Sequence, residues 1–572
     1  MSTPSGKLIT RNYTQFRGVD FSNRKDEINI YRSPDALNMW KNYKSTSGKC
    51  IETRPDIELL KEYSNTIFGL FFYDYNGSTH MIVHSGTNLY DGDNVIYSQM
   101  AEHESKFFVF RDTLYIKDGT NYLSYDGTSC GDVIAYIPTT TISRAPSGGG
   151  TKYEDVNLLT PTRRNSFCAD GTSKQYHLDA ENINTGMRAW INDEEVHNFS
   201  FNTTTGIVTF TTAPPAPLTD GQDNVIIQFN KRTEGYKEEI LNCTLLEMFD
   251  NRVFFSGNPN YPNYLWHCSL DDPTYCSDLD YYQEGVDDAS VKALVAGNNA
   301  LWVIKEPSQT NTTIFYHNPT IDTDYGKIYP SSHSSISTGC ATTGINFNDT
   351  ICFYSNNGLE AITSDVTTEQ AISHKSSLVD SRLLNEPKFK DMRLEEWEGY
   401  LLTVIGNKVY MADSRAYSQV NEHYEYEWYY LEFKQDITYT RVKNGILYLC
   451  TKETVNNVDK YRIYTLTNDK DTRQVEAYWS TLSDEMGYPQ YQKTTNKKGC
   501  VVDLDGQEVT IYAKIDNKDF DLIKTYKNIK GYVVPRIKKK KWKAIQLKFY
   551  SKKPFSLYSS TLESYIGSYI KR

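Results

Sequence analysis

No run of apolar residues approaches the roughly 18 a helix needs to cross a bilayer, so no membrane-spanning segment is expected. The amino terminus, MSTPSGKLITRNYTQF, lacks an apolar h-region and does not read as a signal peptide. Helical periodicity is nearly absent; short helices are expected only near Asp35–Met39 and Ser377–Leu384. None of the ten cysteines falls in a C-x-x-C pair and their spacing is irregular, which removes zinc-ribbon and thioredoxin-like readings. They read as reduced, mostly buried small apolar residues. A P-loop, an H-E-x-x-H helix and an EF-hand loop are missing, and the ten histidines make no H-x-H pair, so neither cofactor nor metal is expected. Positive charge is also in deficit. Lys and Arg number 61 against 72 Asp and Glu, a net charge of -11, which argues against general affinity for nucleic acid. It does not bar DNA from passing the protein without being held.

Tyrosine is abundant, with 45 copies. Its ring packs while its hydroxyl stays wet, which suits strands with one solvated face. Short β-branched and aromatic runs recur, broken by N-G, D-G, G-N or N-N. Examples are Ile67–Phe72, Lys106–Phe110, Asn251–Phe255, Ala300–Ile304, Ile351–Tyr354, Tyr400–Val404 and Gly445–Leu449. They return about every 35–45 residues, the range of propeller blades, whose radial stacking buries faces that a lone unit cannot. The fold class expected is therefore all-β: a β-propeller of six to seven blades with an inserted small β-sandwich and a β-rich C-terminal closing segment. An irregular stack of sandwiches is the plainer alternative.

The expected organisation is an N-terminal segment over 1–60, first blades over 61–139, an inserted sandwich over 140–235, the remaining blades over 236–483, and a C-terminal β segment over 484–572 that closes or flanks the propeller. The insertion is entered through Ser143–Gly150, a linker by composition, and its alternating strands read as antiparallel. The end of the chain is expected to supply a strand that closes the ring against the first blade.

Catalytic motifs are few. Gly127-Thr128-Ser129-Cys130-Gly131 matches G-x-S-x-G, but a strand-like run rather than a helix follows, so it reads as a turn. Asp271, Asp272, Asp278 and Asp280 form an acidic loop without EF-hand order. Glu395-Glu396 is a carboxylate pair whose spatial separation sequence cannot give. No catalytic residue is assigned, and a non-enzymatic chain is expected. The sharpest charged feature is the run Lys538, Lys539, Lys540, Lys541 and Lys543, which suits contacts to a DNA channel or a subunit interface, or a lysine-protected edge strand. If the run continues unbroken into Ile545, Leu547 and Phe549, one strand face must change from wet to buried along its length.

Three segments in order, Phe16-Arg17-Gly18-Val19-Asp20, Arg32-Ser33-Pro34-Asp35-Ala36-Leu37-Asn38-Met39 and Glu52-Thr53-Arg54-Pro55, resemble the opening of the tail nozzle or packaged-DNA stabilization proteins of podovirus-type bacteriophages. Asn251–Pro259 followed by Asp272-Pro273-Thr274-Tyr275 is similar to theirs as well. The resemblance implies a virion structural protein of a short-tailed phage, assembled in the host cytoplasm and found in the tail. It implies a homo-oligomeric ring, a hexamer, placed below the portal and adaptor proteins and beside tail fibres or other tail proteins. Such a ring extends the channel for packaged double-stranded DNA, retains the genome and allows its ejection. The alternative is a carbohydrate-binding or carbohydrate-cleaving β-propeller with a receptor-binding or depolymerase role. It predicts a pocket with paired carboxylates and aromatic walls. An intracellular scaffold propeller that binds peptides is a third reading.

Overall fold

The structure is a computed structural model that describes residues 6–570, apart from 46–47, 49, 232–235, 310, 324–325, 335–336, 363–371, 421–422 and 468–473. Among the described residues are seven four-stranded antiparallel sheets, whose first strands begin at Ile67, Lys106, Leu245, Val291, Gly344, Arg393 and Asp436. The fold is an all-β propeller. Each blade opens with the same device: a two-residue turn whose residues both have positive φ, at Asn76-Gly77, Arg111-Asp112, Asp250-Asn251, Asn298-Asn299, Asn348-Asp349, Glu398-Gly399 and Asn444-Gly445. Such turns match the right-handed twist of the strands they join, and Asn, Asp and Gly reach that conformation most cheaply. From residue 250 onward they return about every 48 residues, slightly longer than the expected period.

The chain divides into two compact units, Met1–Leu70 with Cys340–Arg572, and Phe71–Gly339. In the second unit, the inserted sandwich is a six-stranded sheet and a three-stranded sheet. They share a core of Phe167, Tyr176, Phe210 and Phe229. Its expected C-terminal boundary falls at 232–235, outside the described residues. One pairing differs from the expected antiparallel pattern. Thr139–Arg144 runs parallel to Thr162–Phe167, because the chain crosses back through residues 145–161 before entering the second strand.

In the first unit, the strand that completes the last blade is Asp56–Tyr63, paired with Val458–Thr467. The closing strand thus comes from the N-terminal side, not from the end of the chain as expected. The C-terminal segment is β-rich but belongs to a ten-stranded sheet with the N-terminal segment. Its last strand, Phe555–Tyr569, pairs with Leu8–Tyr13, Ile51–Thr53 and Tyr491–Ile515. These partners satisfy the edges that a free terminal strand would leave open.

The helix expected near Asp35–Met39 is instead two short strands, Ala36–Leu37 and Met39–Trp40, separated by Asn38 at φ 56°. Asn38 is buried and fully engaged: its Oδ1 accepts from Glu432 N at 2.8 Å and Arg54 Nε at 2.9 Å, and its Nδ2 donates to Glu476 O at 2.8 Å. The helix expected near Ser377–Leu384 is present as one turn, Asp380–Leu383.

Candidate functional site

The site lies in the sixth blade, where Lys408–Val420 pairs antiparallel with His423–Glu432 and sets Asp413 directly opposite Glu427. Directly opposed cross-strand residues hold their Cβ atoms about 4.5–5.5 Å apart, so the two carboxylates share one face of the sheet. Trp428, of opposite parity to Glu427, turns into the core.

The N-terminal segment roofs this face. Gly18 has φ 76°, and a Cβ there would run into the Trp428 carbonyl, so only glycine allows the approach. Val19 N then donates to Trp428 O at 2.7 Å. A cavity of about 770 Å³ lies alongside, lined among others by Phe16, Arg17, Lys41, Tyr43, Arg415 and Glu427.

The electrostatics are uneven. Asp413 is fully buried and both its oxygens are engaged: Tyr43 Oη donates to Oδ2 at 2.7 Å, and Arg415 N and Nε donate to Oδ1 at 3.0 Å each. The Arg415 guanidinium also lies over the Tyr43 ring, 4.0 Å from its centroid. Glu427 is nearly as buried, at 2% exposure, but its Oε2 has no hydrogen-bond partner. Its nearest cations are loosely placed, Arg17 Nε at 3.9 Å and Lys41 Nζ at 4.0 Å. Burial pushes the Glu427 carboxyl up to about 7; Lys41, Arg17 and Arg32 pull it down and Asp413 pushes it further up. Around neutral pH this group both holds and releases a proton within a cavity, the property a proton-donating or hydroxyl-binding carboxyl needs.

Sequence reasoning missed this pair because its members lie on two arms of a hairpin, 14 positions apart. The visible signal was Glu425 and Glu427 alternating with Tyr426 and Trp428 in a strand that reads as buried on both faces. The pair it did raise, Glu395-Glu396, occupies successive positions of one strand, so the two side chains leave on opposite faces. The G-x-S-x-G match is a hairpin turn, with Tyr125 opposite Cys130 and the Asp126 carboxylate accepting from the backbone N–H groups of Thr128 and Ser129. Asp272 likewise closes its own turn, accepting from Thr274 N.

The lysine run lies apart from this cavity. It is not one strand with Ile545–Ser551: Lys540–Trp542 ends where Lys543 N and Ala544 N both donate to Asp516 Oδ1, so the strand breaks before the apolar stretch begins. The change from wet to buried thus falls at a break in the strand. Lys539 pairs with Asp521, and Lys543 with Glu485 at 2.9 Å. Lys538, Lys540 and Lys541 are exposed.

No family model and no curated protein matches the chain. Solved structures similar to it include the exo-β-1,3-galactanase of Phanerochaete chrysosporium with galactose, at 7% identity and a TM-score of 0.21, covering 55% of this chain and 94% of that one. A point variant of that enzyme with β-1,3-galactotriose gives 8% and 0.22, covering 56% and 94%. A glycoside hydrolase gives 7% and 0.21, covering 87% and 98%. These are glycoside hydrolases, and the expectation of a non-enzymatic chain is set aside.

Proposed function

We propose that this chain is a carbohydrate-handling β-propeller whose sugar site is the Glu427 cavity. The observation that carries the reading is Glu427 itself, a buried carboxyl with an unpartnered oxygen beside a second carboxylate, facing a cavity walled by Tyr43 and Phe16. Aromatic faces and a few convergent polar groups are what a sugar ring requires. Glu427 exchanges hydrogen bonds, or a proton, with a hydroxyl or a glycosidic oxygen. Asp413, held by Tyr43 and Arg415, orients the wall. The similar structures reported above, enzymes crystallised with galactose and β-1,3-galactotriose, make galactose-containing glycans the first to try. The test is a glycan array probed with the full chain, followed by product analysis on every glycan retained. Glu427→Gln is expected to weaken retention at least tenfold and to abolish any cleavage. If no glycan is retained, or retention ignores this substitution, the reading fails.

A second reading, a tail nozzle ring of a short-tailed phage, is supported by the order of the three N-terminal segments and by the work their residues do. Gly18, Asn38 and Arg54 are interior fasteners, the last donating to Pro55 O at 2.7 Å and to Glu432 O at 3.0 Å. Segments shared for such reasons mark a common architecture rather than a common chemistry. Electron images of the purified protein test it, a six-fold ring being the expected result and a monomer the result against it.

A further inference from the structure

The chain as a whole is acidic, yet residues 484–572 hold 19 Lys and Arg against 9 Asp and Glu, a local charge of +10 within a net charge of -11. Much of that excess gathers in one place. Thr495 N donates to Lys539 O, and Lys539 N donates to Thr495 Oγ1, both at 2.9 Å. These bonds bring Lys497 and Lys498, on the strand Tyr491–Ile515, beside the segment of Arg536, Lys538, Lys540 and Lys541. All six are exposed, and none of the six forms an ion pair among the described residues. Two of the carboxylates nearby are already paired with cations, Asp521 with Lys539 and Glu485 with Lys543, while Glu563 accepts from Asn496 Nδ2 at 2.7 Å.

Protection of a sheet edge explains lysines on a short outer strand such as Lys540–Trp542. It does not explain Lys497 and Lys498, which lie where an interior strand slips register against Phe555–Tyr569 between Thr495 and Cys500. Six unneutralised cations close together raise the cost of the folded state, so a polyanion that neutralises them gains both Coulomb energy and the release of its own counterions. A protein partner fits poorly. Lysine is depleted from protein–protein interfaces, and five of the six cations here are lysines.

We propose that this cluster binds the phosphate backbone of nucleic acid, without reading its sequence. The proposal does not depend on the sugar site. Its test is fluorescence anisotropy of a labelled duplex of about 30 base pairs titrated with the full chain at several salt concentrations. Six phosphate contacts predict a slope of about -5 in log affinity against log salt, roughly a thousandfold loss between about 50 and 200 mM. The variant Lys538→Ser/Lys540→Ser/Lys541→Ser removes three contacts and is expected to reduce that loss to about fortyfold. Lys552→Ser/Lys553→Ser, exposed lysines outside the cluster, controls for charge alone and is expected to change the slope little. An unchanged melting temperature of the triple variant separates lost contact from lost fold. Absence of duplex binding at low salt overturns the proposal. So does a triple variant whose slope equals the wild type's, or a cluster that proves to mediate salt-sensitive self-association while ignoring DNA.

Discussion

Replacing Glu427 by Gln is expected to make the protein more stable by about 3 kcal/mol at pH 8 and by about 1 kcal/mol at pH 5. The carboxyl rises from an ordinary value of 4.5 to about 7 on folding, chiefly because burial disfavours its charge. The folded state therefore holds the Glu427 proton more tightly than the unfolded chain does. The stabilisation from that proton is complete below 4.5 and is lost as pH rises through 7. The rise from 4.5 to about 7 is worth about 3.4 kcal/mol in full, and about 2.5 kcal/mol of it falls between pH 5 and pH 8. Glutamine has the same shape and no proton to lose, so the variant lacks that component. Glu247 and Glu395 are also raised to about 7 by burial, and they titrate in both proteins. The quantity to compare is therefore the change in stability with pH in wild type minus that in the variant, read from urea unfolding or from melting temperatures at matched ionic strength. Parallel curves for the two proteins would refute the argument, because they would mean that Glu427 is solvated or stays paired with Arg17 and Lys41 across this range.

Gly18→Ala should destabilise the first unit by about 3–5 kcal/mol, since it combines a positive φ with a clash against the Trp428 carbonyl; a fall in melting temperature checks it. Asn38→Gly, which keeps the φ of 56° accessible but strips three buried hydrogen bonds, should cost about 3 kcal/mol, and Asn38→Ala about 1 kcal/mol more, measured by denaturant unfolding. His374 is opposed by burial but clamped between Asp380 at 2.6 Å and Glu360 at 3.3 Å, which raise its imidazolium from 6.5 to about 10. That stabilisation is fully present below 6.5 and lost as pH rises through 10, so between pH 8 and pH 10.5 wild type should lose more melting temperature than His374→Gln does.

The propeller was legible in the sequence because its repeat is written in turn chemistry. Asn76-Gly77, Asp250-Asn251, Asn298-Asn299, Asn348-Asp349 and Asn444-Gly445 are residues that enter positive φ cheaply, and each separates two β-rich runs. Arg111-Asp112 and Glu398-Gly399 adopt the same turn with a first residue that carries no such signal. The closing strand was misplaced for a different reason. Asp56–Tyr63, Asp-Ile-Glu-Leu-Leu-Lys-Glu-Tyr, has no strict alternation of polar and apolar residues, and its register slips between Ile463 and Tyr464 of its partner. Its place is set by a neighbour about 400 positions away, and periodicity within a short window does not report such a partner. The short strands around Asn38 suffer the same fate. A buried asparagine hub looks like any polar residue until Arg54, Glu432 and Glu476 are brought to it.

The cavity and the resemblance meet on the same few residues. Phe16 and Arg17 line the cavity, while Gly18 and Val19, the next two positions, fasten the segment to Trp428. Glu427 precedes Trp428, so ionising its carboxyl strengthens a loose ion pair to Arg17 on the very segment that Trp428 anchors. A ligand that drew the Glu427 proton away, or that took over Arg17 and Lys41, would act on the anchorage of the N-terminal segment through these contacts. A fastener built only for stability gains nothing from a buried carboxyl whose Oε2 no hydrogen-bond donor reaches, since a well-packed apolar residue there would cost less. Retaining Glu427 at a join that glycine and asparagine already secure therefore favours a role for its proton or its charge over one in holding the chain together.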